Sequence, residues 1–221
     1  MFHPNDQPLE RGWVGKIDGD RVLHLAAQTL QSFFLGGGGA REHAGYRLDA
    51  VTLLVPVIYP PAVRVFDVQA AFAFANPAAV IGTGAVVTSP AGTLSVFPRL
   101  AAVIGAEGEI GGYTAFAGWR APALSTPKDD DFAAGLGPVV VTPDEGIPAG
   151  VRVLVDEEEQ LAGEFPMFDW DAARALAAAN TVLRPGDILA GPAAGVVDAI
   201  GAGSGVNVEV AGVGVLAATT G

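Results

Sequence analysis

The sequence predicts a mainly β protein of α+β type with few helices, and three observations support that fold class. Short runs rich in valine, isoleucine and alanine are interrupted at close intervals by glycine and proline, of which the chain has 30 and 16. Half of the residues are hydrophobic and only 16% are charged, as in a folded domain. The strongest helix signal is confined to Asp169–Asn180. Such spacing is typical of a β core.

The N-terminal region predicts a small α/β unit. Trp13–Ile17 and Arg21–Leu25 have β-like composition around Asp18-Gly19-Asp20, which is a turn signal for a hairpin. Ala26–Phe34 follows and is predicted to form one short helix.

Four consecutive glycines, Gly36–Gly39, permit almost any backbone path and mark the best internal boundary. We place that boundary near Tyr46. The predicted domains are therefore a small N-terminal domain at residues 1–45 and a core domain at residues 46–221.

The second unit is predicted to consist mainly of strands. They are Val51–Val57, Ala79–Ile81, Ala85–Val87, Leu100–Ile104, Val139–Val141 and Val151–Val155. After the predicted helix at Asp169–Asn180, a Pro-Gly-Asp turn leads into Ile188–Ala190, and the segment VNVEVAGVGVLAA is predicted to close the fold as a hairpin.

Charge and composition restrict the possible partners. Twelve basic and 24 acidic residues give a formal net charge of −12, which disfavours nucleic acids and anionic membrane surfaces. The absence of cysteine excludes disulfides and thiolate metal sites. No apolar stretch approaches the ~20 residues of a membrane helix, and no targeting segment is visible. We expect a soluble cytoplasmic protein with a small-molecule partner.

Five short motifs occur in one order along the core. They are Phe74-Ala75-Asn76-Pro77 with Val80-Ile81-Gly82, then Leu100–Gly105, Gly112-Tyr113-Thr114, Lys128 with Asp131-Phe132 and Leu136-Gly137-Pro138, and Leu183–Leu189. In this order, Leu48–Thr219 resembles the C-terminal domain of the fumarylacetoacetate hydrolase (FAH) superfamily, and Gly15–Asp20 resembles the small domain that often precedes it. The resemblance implies an FAH-type β-roll or distorted mixed β-barrel core and a homodimer.

Members of this family hold Mg²⁺ or Mn²⁺ with two glutamates spaced Glu-x-Glu on one strand and an aspartate on the next. The matching positions here are Phe97, Arg99 and Gly118, none of which supplies a carboxylate. Glu107 and Glu109 have the right spacing, but they lie in a glycine-rich turn that is typical of solvated acids. We therefore predict no metal ligands and no Mg²⁺ or Mn²⁺ cofactor.

The predicted catalytic residues are Lys128, Arg99 and Asp131. Arg99 can pair bidentately with an anionic substrate or enolate, or form a salt bridge with a nearby acid. Lys128 can bind an oxyanion or form a Schiff base, or pair with one of the adjacent acids Asp129–Asp131. For Arg99 and for Lys128, a role at the substrate and a role in an internal ion pair both stay open.

The predicted substrate-binding residues are Tyr113, Trp119, Phe97, Gly191 and Gly195. Backbone amides in the loop between the two glycines can bind an anion. Trp119 and Phe97 have an alternative role, which is to fill the volume that the metal site would otherwise occupy.

The segment Asp67–Phe72 stands where many relatives carry a catalytic glutamate and histidine. It contains no histidine, since His3, His24 and His43 all lie in the N-terminal unit. Asp67 can replace the missing base, or it can be an exposed loop residue.

The resemblance implies a protein that binds a small oxo-acid or β-dicarbonyl metabolite. The first hypothesis is a metal-independent hydrolase, lyase, isomerase or decarboxylase that acts through an enolate stabilised by Arg99 and Lys128. A second is a catalytically inactive pseudoenzyme that serves as a binding or scaffold subunit. A third is an enzyme that guides cyclisation or rearrangement in secondary metabolism.

Overall fold

Two large β-sheets form the body of the protein, and two small sheets are formed by strands of the N-terminal region. The computed structural model describes residues 1–8 and 11–221. The strands are β1 Phe2–Pro4, β2 Gly15–Asp18, β3 Arg21–Leu25, β4 Glu42–Arg47, β5 Val51–Leu53, β6 Val63–Val68, β7 Ala71–Ala75, β8 Val80–Ile81, β9 Ala85–Val87, β10 Leu94–Ile104, β11 Ile110–Arg120, β12 Ala134–Leu136, β13 Gly150–Val155, β14 Glu158–Glu164, β15 Ile188–Ala193, β16 Val197–Ile200, β17 Gly205–Val210 and β18 Gly214–Thr220. The helices are α1 Leu30–Leu35 and α2 Trp170–Ala178, with short 3₁₀ turns at Leu48–Ala50, Pro77–Ala79, Ala106–Gly108 and Pro143–Glu145. The predicted mainly β fold class is confirmed.

The larger sheet has the strand order β7-β6-β15-β10-β11-β12-β8, with β16 paired to β10. The second has the order β14-β13-β17-β18-β9. Both sheets are mixed, because β6 and β15, β8 and β12, and β9 and β18 run parallel while their other neighbours are antiparallel. In the N-terminal region, β2, β3 and β4 form a three-stranded sheet, and β1 pairs with β5. The hairpin predicted around Asp18-Gly19-Asp20 is confirmed by β2 and β3.

The long antiparallel pair β10–β11 is the centre of the core. Each strand has eleven residues, and side chains alternate between two covered faces. One face, with Leu100 and Trp119, packs in the main hydrophobic cluster. The other, with Val103 and Phe116, packs with Phe34 of α1 in a second cluster. Burial of both faces explains why residues 100–104 form a continuous apolar run instead of an alternating one.

The helix predicted over Asp169–Asn180 is confirmed as α2. The Asp169 side chain accepts a hydrogen bond from the backbone N–H of Ala172 and caps the helix, and Trp170, Ala173 and Ala177 form its buried stripe. The helix α1 is shorter than predicted. Thr29 and Ser32 form a reciprocal capping box, so the helix begins at Leu30 and not at Ala26.

Two strand predictions are only partly right. Of Val51–Val57, only the first three residues are extended as β5. Val139–Val141 does not form a strand, and Val141 makes a single bridge to Tyr113. The flanking Pro138 and Pro143 have no N–H to donate, which limits pairing on both sides of this segment.

The predicted domain boundary near Tyr46 lies inside β4, which pairs with β3. The division at residues 45 and 46 stays a prediction. No helix in the described ranges is long and apolar enough to cross a membrane.

A buried ion pair joins β6 to the turn before β15. Arg64 Nη1 lies 3.2 Å from Asp187 Oδ2, and the two residues are only 5% and 2% exposed. The Asp187 carboxylate also accepts the backbone N–H of Arg184, and the rings of Phe72 and Phe74 cover the Arg64 guanidinium. Removing one partner would leave the other charge buried without compensation.

We expect Asp187→Ala to lower the free energy of unfolding by about 3–5 kcal/mol, because it leaves the Arg64 guanidinium buried without a carboxylate partner. The matched control is Asp49→Ala, which removes the same side chain from the exposed Arg47–Asp49 pair and should change stability little. Denaturant unfolding of the three proteins measures both effects. Equal midpoints for the two variants would contradict the structural role assigned to Asp187.

Candidate functional site

The structure brings the three positions predicted from the metal-ligand motif together on one face of β10–β11. Phe97 lies directly opposite Gly118, and Arg99 is two residues further along the same strand. A Cβ atom placed on Gly118 would lie 3.7 Å from the Cβ of Phe97.

The Arg99 guanidinium lies where β6 and β15 part. Their parallel ladder ends with Val65 paired to Ala190. Just beyond it, the carbonyl oxygens of Phe66 and Gly191 accept hydrogen bonds of 3.1 and 3.0 Å from Arg99 Nη1. Arg99 is only 6% exposed, so these bonds fix a permanent positive charge in a nearly water-free position.

One carboxylate neutralises this charge, and it comes from the surface. Arg99 Nη2 lies 2.6 Å from Oδ1 of Asp67, near the end of β6. The Asp67 side chain is 76% exposed, whereas that of Arg99 is 7% exposed. The pair thus joins a fixed cation to a carboxylate that can move into solvent without breaking a core contact.

A second arginine covers Phe97. The guanidinium of Arg120, at the end of β11, lies 5.0 Å from the centroid of the Phe97 ring. The same guanidinium pairs with Asp129 and Asp130 at 3.3 and 3.5 Å. Phe97 is therefore held by a cation–π contact beside the Arg99 position.

Lys128 and Asp131 lie together in the loop between β11 and β12. Lys128 Nζ is 2.5 Å from Asp131 Oδ2, and the lysine side chain is 70% exposed. The side-chain amide of Asn76 donates to the Asp131 backbone carbonyl and anchors the loop to the Asn-Pro turn before β8. This pair is separate from the Arg99–Asp67 pair.

Tyr113 and Trp119 face away from Arg99. Both belong to the alternate positions of β11 that point into the main cluster, where they are 5% and 2% exposed. Burial, with a smaller contribution from the negative charge of Asp171, raises the pKa of the Tyr113 hydroxyl. The ring of Tyr113 packs edge-on against Trp170 at 5.3 Å.

The two predicted glycines are sites of close packing. A Cβ atom on Gly191 would come within 3.1 Å of the Trp170 ring, and one on Gly195 within 2.4 Å of the Leu161 side chain. Gly191 contributes its carbonyl oxygen to the Arg99 position. Anion binding by the backbone amides of this loop stays a prediction.

Sequence reasoning missed one residue that orients this region. The carboxamide of Gln69 donates from Nε2 to the Asp169 carbonyl and accepts the Asp169 N–H at Oε1, both at 2.9 Å. These bonds tie the β6–β7 turn to the start of α2. The partners are 100 residues apart in sequence, so no local pattern indicates the contact.

No family model and no curated protein sequence matches the chain. Solved structures match it over nearly the whole length. Maleylpyruvate hydrolase from Sphingobium sp. SYK-6 is 22% identical with a TM-score of 0.75, and the match covers 95% of this chain and 97% of the hydrolase. 2-Keto-3-deoxy-D-arabinonate dehydratase is 16% identical with a TM-score of 0.80, covering 99% and 96%. 2-Hydroxyhepta-2,4-diene-1,7-dioate isomerase from Mycobacterium marinum is 20% identical with a TM-score of 0.73, covering 95% and 92%.

These similarities define the class of fold. The chain has the FAH-type β fold that the order of its motifs predicted. The neighbours include a hydrolase, a dehydratase and an isomerase, so the fold by itself does not select one reaction.

The prediction that excluded Mg²⁺ and Mn²⁺ as cofactors is wrong. The maleylpyruvate hydrolase has been solved with a manganese(II) ion and pyruvate, at 21% identity and a TM-score of 0.74 to this chain. The dehydratase has been solved with magnesium and 2,5-dioxopentanoate, at 16% identity and a TM-score of 0.79. Two proteins with this fold have thus been solved with a divalent metal, and the loss of carboxylates at one position is not enough to exclude such an ion.

The side chains at the Phe97, Arg99 and Gly118 positions do not themselves fit a divalent cation. Mg²⁺ and Mn²⁺ prefer oxygen ligands, and this set supplies a phenyl ring, a guanidinium and no side chain. Within residues 1–8 and 11–221, no group of three or more histidine, aspartate or glutamate side chains is arranged to hold a metal.

We expect one of the three tyrosines of the chain to ionise later than an ordinary phenol. Folding favours the neutral form of Tyr113, because the pKa of its hydroxyl is raised in the folded protein. This preference adds to the free energy of unfolding in full below about pH 10, and the added stability is lost as the pH rises further. An ultraviolet absorbance titration of the wild type and Tyr113→Phe measures it. The late step should be missing from the variant and should move to lower pH in Asp171→Asn. If Tyr113→Phe kept the late step and lost an earlier one, the late ionisation would not belong to Tyr113.

Proposed function

We propose that the protein binds a small oxo-acid or β-dicarbonyl metabolite at the Arg99–Asp67 pair and acts on it as a hydrolase, lyase, isomerase or decarboxylase through an enolate. The observation that carries the proposal is the asymmetry of this pair. Arg99 is a buried cation fixed by two backbone carbonyls, and its carboxylate partner is an exposed residue near a hairpin turn. A substrate carboxylate can take the place of the Asp67 carboxylate.

The exchange keeps the charge of the site balanced. Arg99 Nη1 stays bound to the carbonyls of Phe66 and Gly191, so the guanidinium does not have to reorient. Nη2, which now contacts Asp67, binds the incoming anion. A positive charge that is already oriented in a site of low exposure stabilises the negative charge that develops on an enolate oxygen.

Asp67 then has a second role. Once displaced, its carboxylate is still carried by the β6–β7 hairpin, whose turn is held to α2 by Gln69. From there it can accept the proton that leaves the carbon next to the substrate carbonyl, which generates the enolate. Asp67 is thus proposed as the general base, in the segment where the sequence contains no histidine.

Lys128 is proposed as the second cation of the site. Its exposed ammonium can turn from Asp131 to a substrate oxyanion, and in the absence of substrate Asp131 holds it close to the loop. Phe97 and Gly191 border Arg99 and are the proposed substrate contacts. Tyr113, Trp119 and Gly195 support the site by packing.

The neighbouring structures support the class of ligand. One holds pyruvate and another holds 2,5-dioxopentanoate, which are both oxo-acid anions. At 16–21% identity they support the class and leave the reaction open.

A catalytically inactive binding or scaffold subunit is the second candidate. It is favoured by the observation that the Arg99, Arg120 and Lys128 charges are all paired within the chain. In that case Asp67 would be a permanent partner of Arg99, and removing it would not improve the binding of any carboxylate.

We expect Asp67→Asn to bind pyruvate about two- to fivefold more tightly than the wild type, because the incoming anion no longer competes with an ion pair worth roughly 0.5–1 kcal/mol. The same variant should lose turnover of any β-dicarbonyl substrate of the wild type, since its amide cannot accept the proton. Calorimetric titration and a turnover assay on an acylpyruvate panel, with Mg²⁺ or Mn²⁺ present in every arm, measure the two effects.

The matched control is Asp49→Asn, which removes one negative charge from the Arg47–Asp49 pair, where both side chains are exposed. It should leave pyruvate affinity and turnover unchanged. Equal pyruvate affinity of the wild type and Asp67→Asn would contradict the exchange of carboxylates. A wild type without turnover on the whole panel would favour the binding subunit.

We expect Lys128→Ala to fold normally, since the side chain is exposed, and to lower kcat on the same substrate at least tenfold. Lys16→Ala is the natural control, because residues 16 and 128 are the only lysines of the chain. Steady-state kinetics of the two variants measure the difference. Unchanged kcat in Lys128→Ala would remove Lys128 from the site and leave Arg99 as its cation.

A further inference from the structure

Two histidines lie close together on neighbouring strands of the N-terminal sheet formed by β2, β3 and β4. The ring centroids of His24 and His43 are 5.4 Å apart, with 47° between the ring planes. His24 lies on β3 and is half-buried, whereas His43 lies on the edge strand β4 and is exposed. The pair is on a different sheet from Arg99 and Asp67.

A β-bulge brings the two rings to the same side of the sheet. The register of β3 and β4 shifts between Leu23 and Leu25, so that Leu25 pairs with Glu42. In a regular antiparallel ladder Leu25 would pair with His43, whose side chain would then point to the face opposite that of His24. The extra residue on β4 reverses this direction, and bulges commonly re-aim a side chain in this way beside functional sites.

The ring of Trp13 fixes the orientation of His24. The two rings are stacked, with centroids 4.6 Å apart and 11° between their planes, and the buried Phe2 ring packs edge-on against His24 at 6.1 Å. Stacking uses the face of the imidazole, so it does not occupy the nitrogens, which lie in the ring plane. A side chain that is already oriented loses little conformational entropy when it binds a ligand.

The spacing of the two rings fits one metal ion between them. An ion about 2.0–2.1 Å from a ring nitrogen lies about 3.2 Å from the centre of that ring, so two rings at a tetrahedral angle have centres roughly 5.2 Å apart. The observed separation is 5.4 Å. Imidazole nitrogen suits Zn²⁺, Cu²⁺ and Ni²⁺, whereas Mg²⁺ and Mn²⁺ prefer oxygen ligands.

The charge state of His24 also suits an ion. Burial, with smaller contributions from the positive charges of His43 and Arg11, lowers the pKa of the His24 imidazole. The neutral imidazole is the form that binds a metal, so at neutral pH most His24 side chains have no proton to release. Arg11 is exposed and can turn its guanidinium into solvent when a cation is bound.

We propose that His24 and His43 bind one divalent transition-metal ion of the Zn²⁺ class, which links β3 to β4 across the bulge. Two protein ligands are fewer than the four of a structural zinc site, so water completes the coordination and the ion is exchangeable. This site differs from the proposed oxo-acid site in its sheet, its ligands and its preferred metal.

The experiment is calorimetric titration of the untagged protein with Zn²⁺ at about pH 7, with Mg²⁺ in excess to occupy any site made of carboxylates alone. We expect the wild type to bind one Zn²⁺ per chain, and His24→Gln and His43→Gln to bind it at least about tenfold more weakly. His3→Gln is the matched control, because His3 is the third histidine of the chain and lies on β1 opposite Thr52. It should bind Zn²⁺ like the wild type.

Thermal unfolding separates loss of the site from loss of the fold. His43 is exposed, so His43→Gln should unfold like the wild type when no metal is present. Zn²⁺ should raise the unfolding temperature of the wild type and of His3→Gln, but not that of His43→Gln. A wild type that binds no Zn²⁺, or His43→Gln that binds it as tightly as the wild type, would overturn the proposal. None of these readouts depends on Arg99, so their failure would leave the proposed oxo-acid site as it stands.

Discussion

The guanidinium of Arg99 holds three strands of the larger sheet in place. The strands β6 and β15 pair through Ala190 and then part, which leaves the carbonyls of Phe66 and Gly191 without a ladder partner. Arg99, from β10, donates to both. A buried carbonyl without a hydrogen-bond donor lowers the free energy of unfolding. The arginine therefore has a structural role at this junction, whether or not it also binds a ligand. Its charge then needs a carboxylate, and Asp67 supplies one from outside the core.

This junction explains why the β6–β7 hairpin is ordered although its turn is exposed. Three polar contacts hold it: Arg99 with Asp67, Gln69 with the start of α2, and Arg64 with Asp187 beneath the phenylalanine rings. Of the two ion pairs, Arg99–Asp67 is the weaker, because the Asp67 side chain is 76% exposed, whereas Arg64 and Asp187 are both buried. Ligand binding and movement are therefore expected at Asp67.

Local sequence patterns predicted the elements better than the contacts between them. The order of short motifs predicted the FAH-type fold. The pairing of Phe97 with Gly118 comes from the register of β10 and β11, which the sequence analysis did not predict. A salt bridge of Arg99 to a nearby acid was one of the two expected roles, but its partner Asp67 is 32 residues away and follows from the sheet order alone. The Arg64–Asp187 and Gln69–Asp169 contacts join residues that are 123 and 100 positions apart in the sequence. Local composition and periodicity therefore could not predict them. The exclusion of metals failed for a different reason, since missing carboxylates at one position say nothing about ligands elsewhere.

The most direct test of the account is a crystal structure of the protein with bound pyruvate. If Arg99 is the anchor of an oxo-acid, the pyruvate carboxylate should accept a hydrogen bond from Arg99 Nη2, Asp67 should be turned into solvent, and the bonds from Nη1 to Phe66 and Gly191 should be intact. Pyruvate bound elsewhere, with the Arg99–Asp67 pair unchanged, would contradict the account and leave the arginine with a purely structural role.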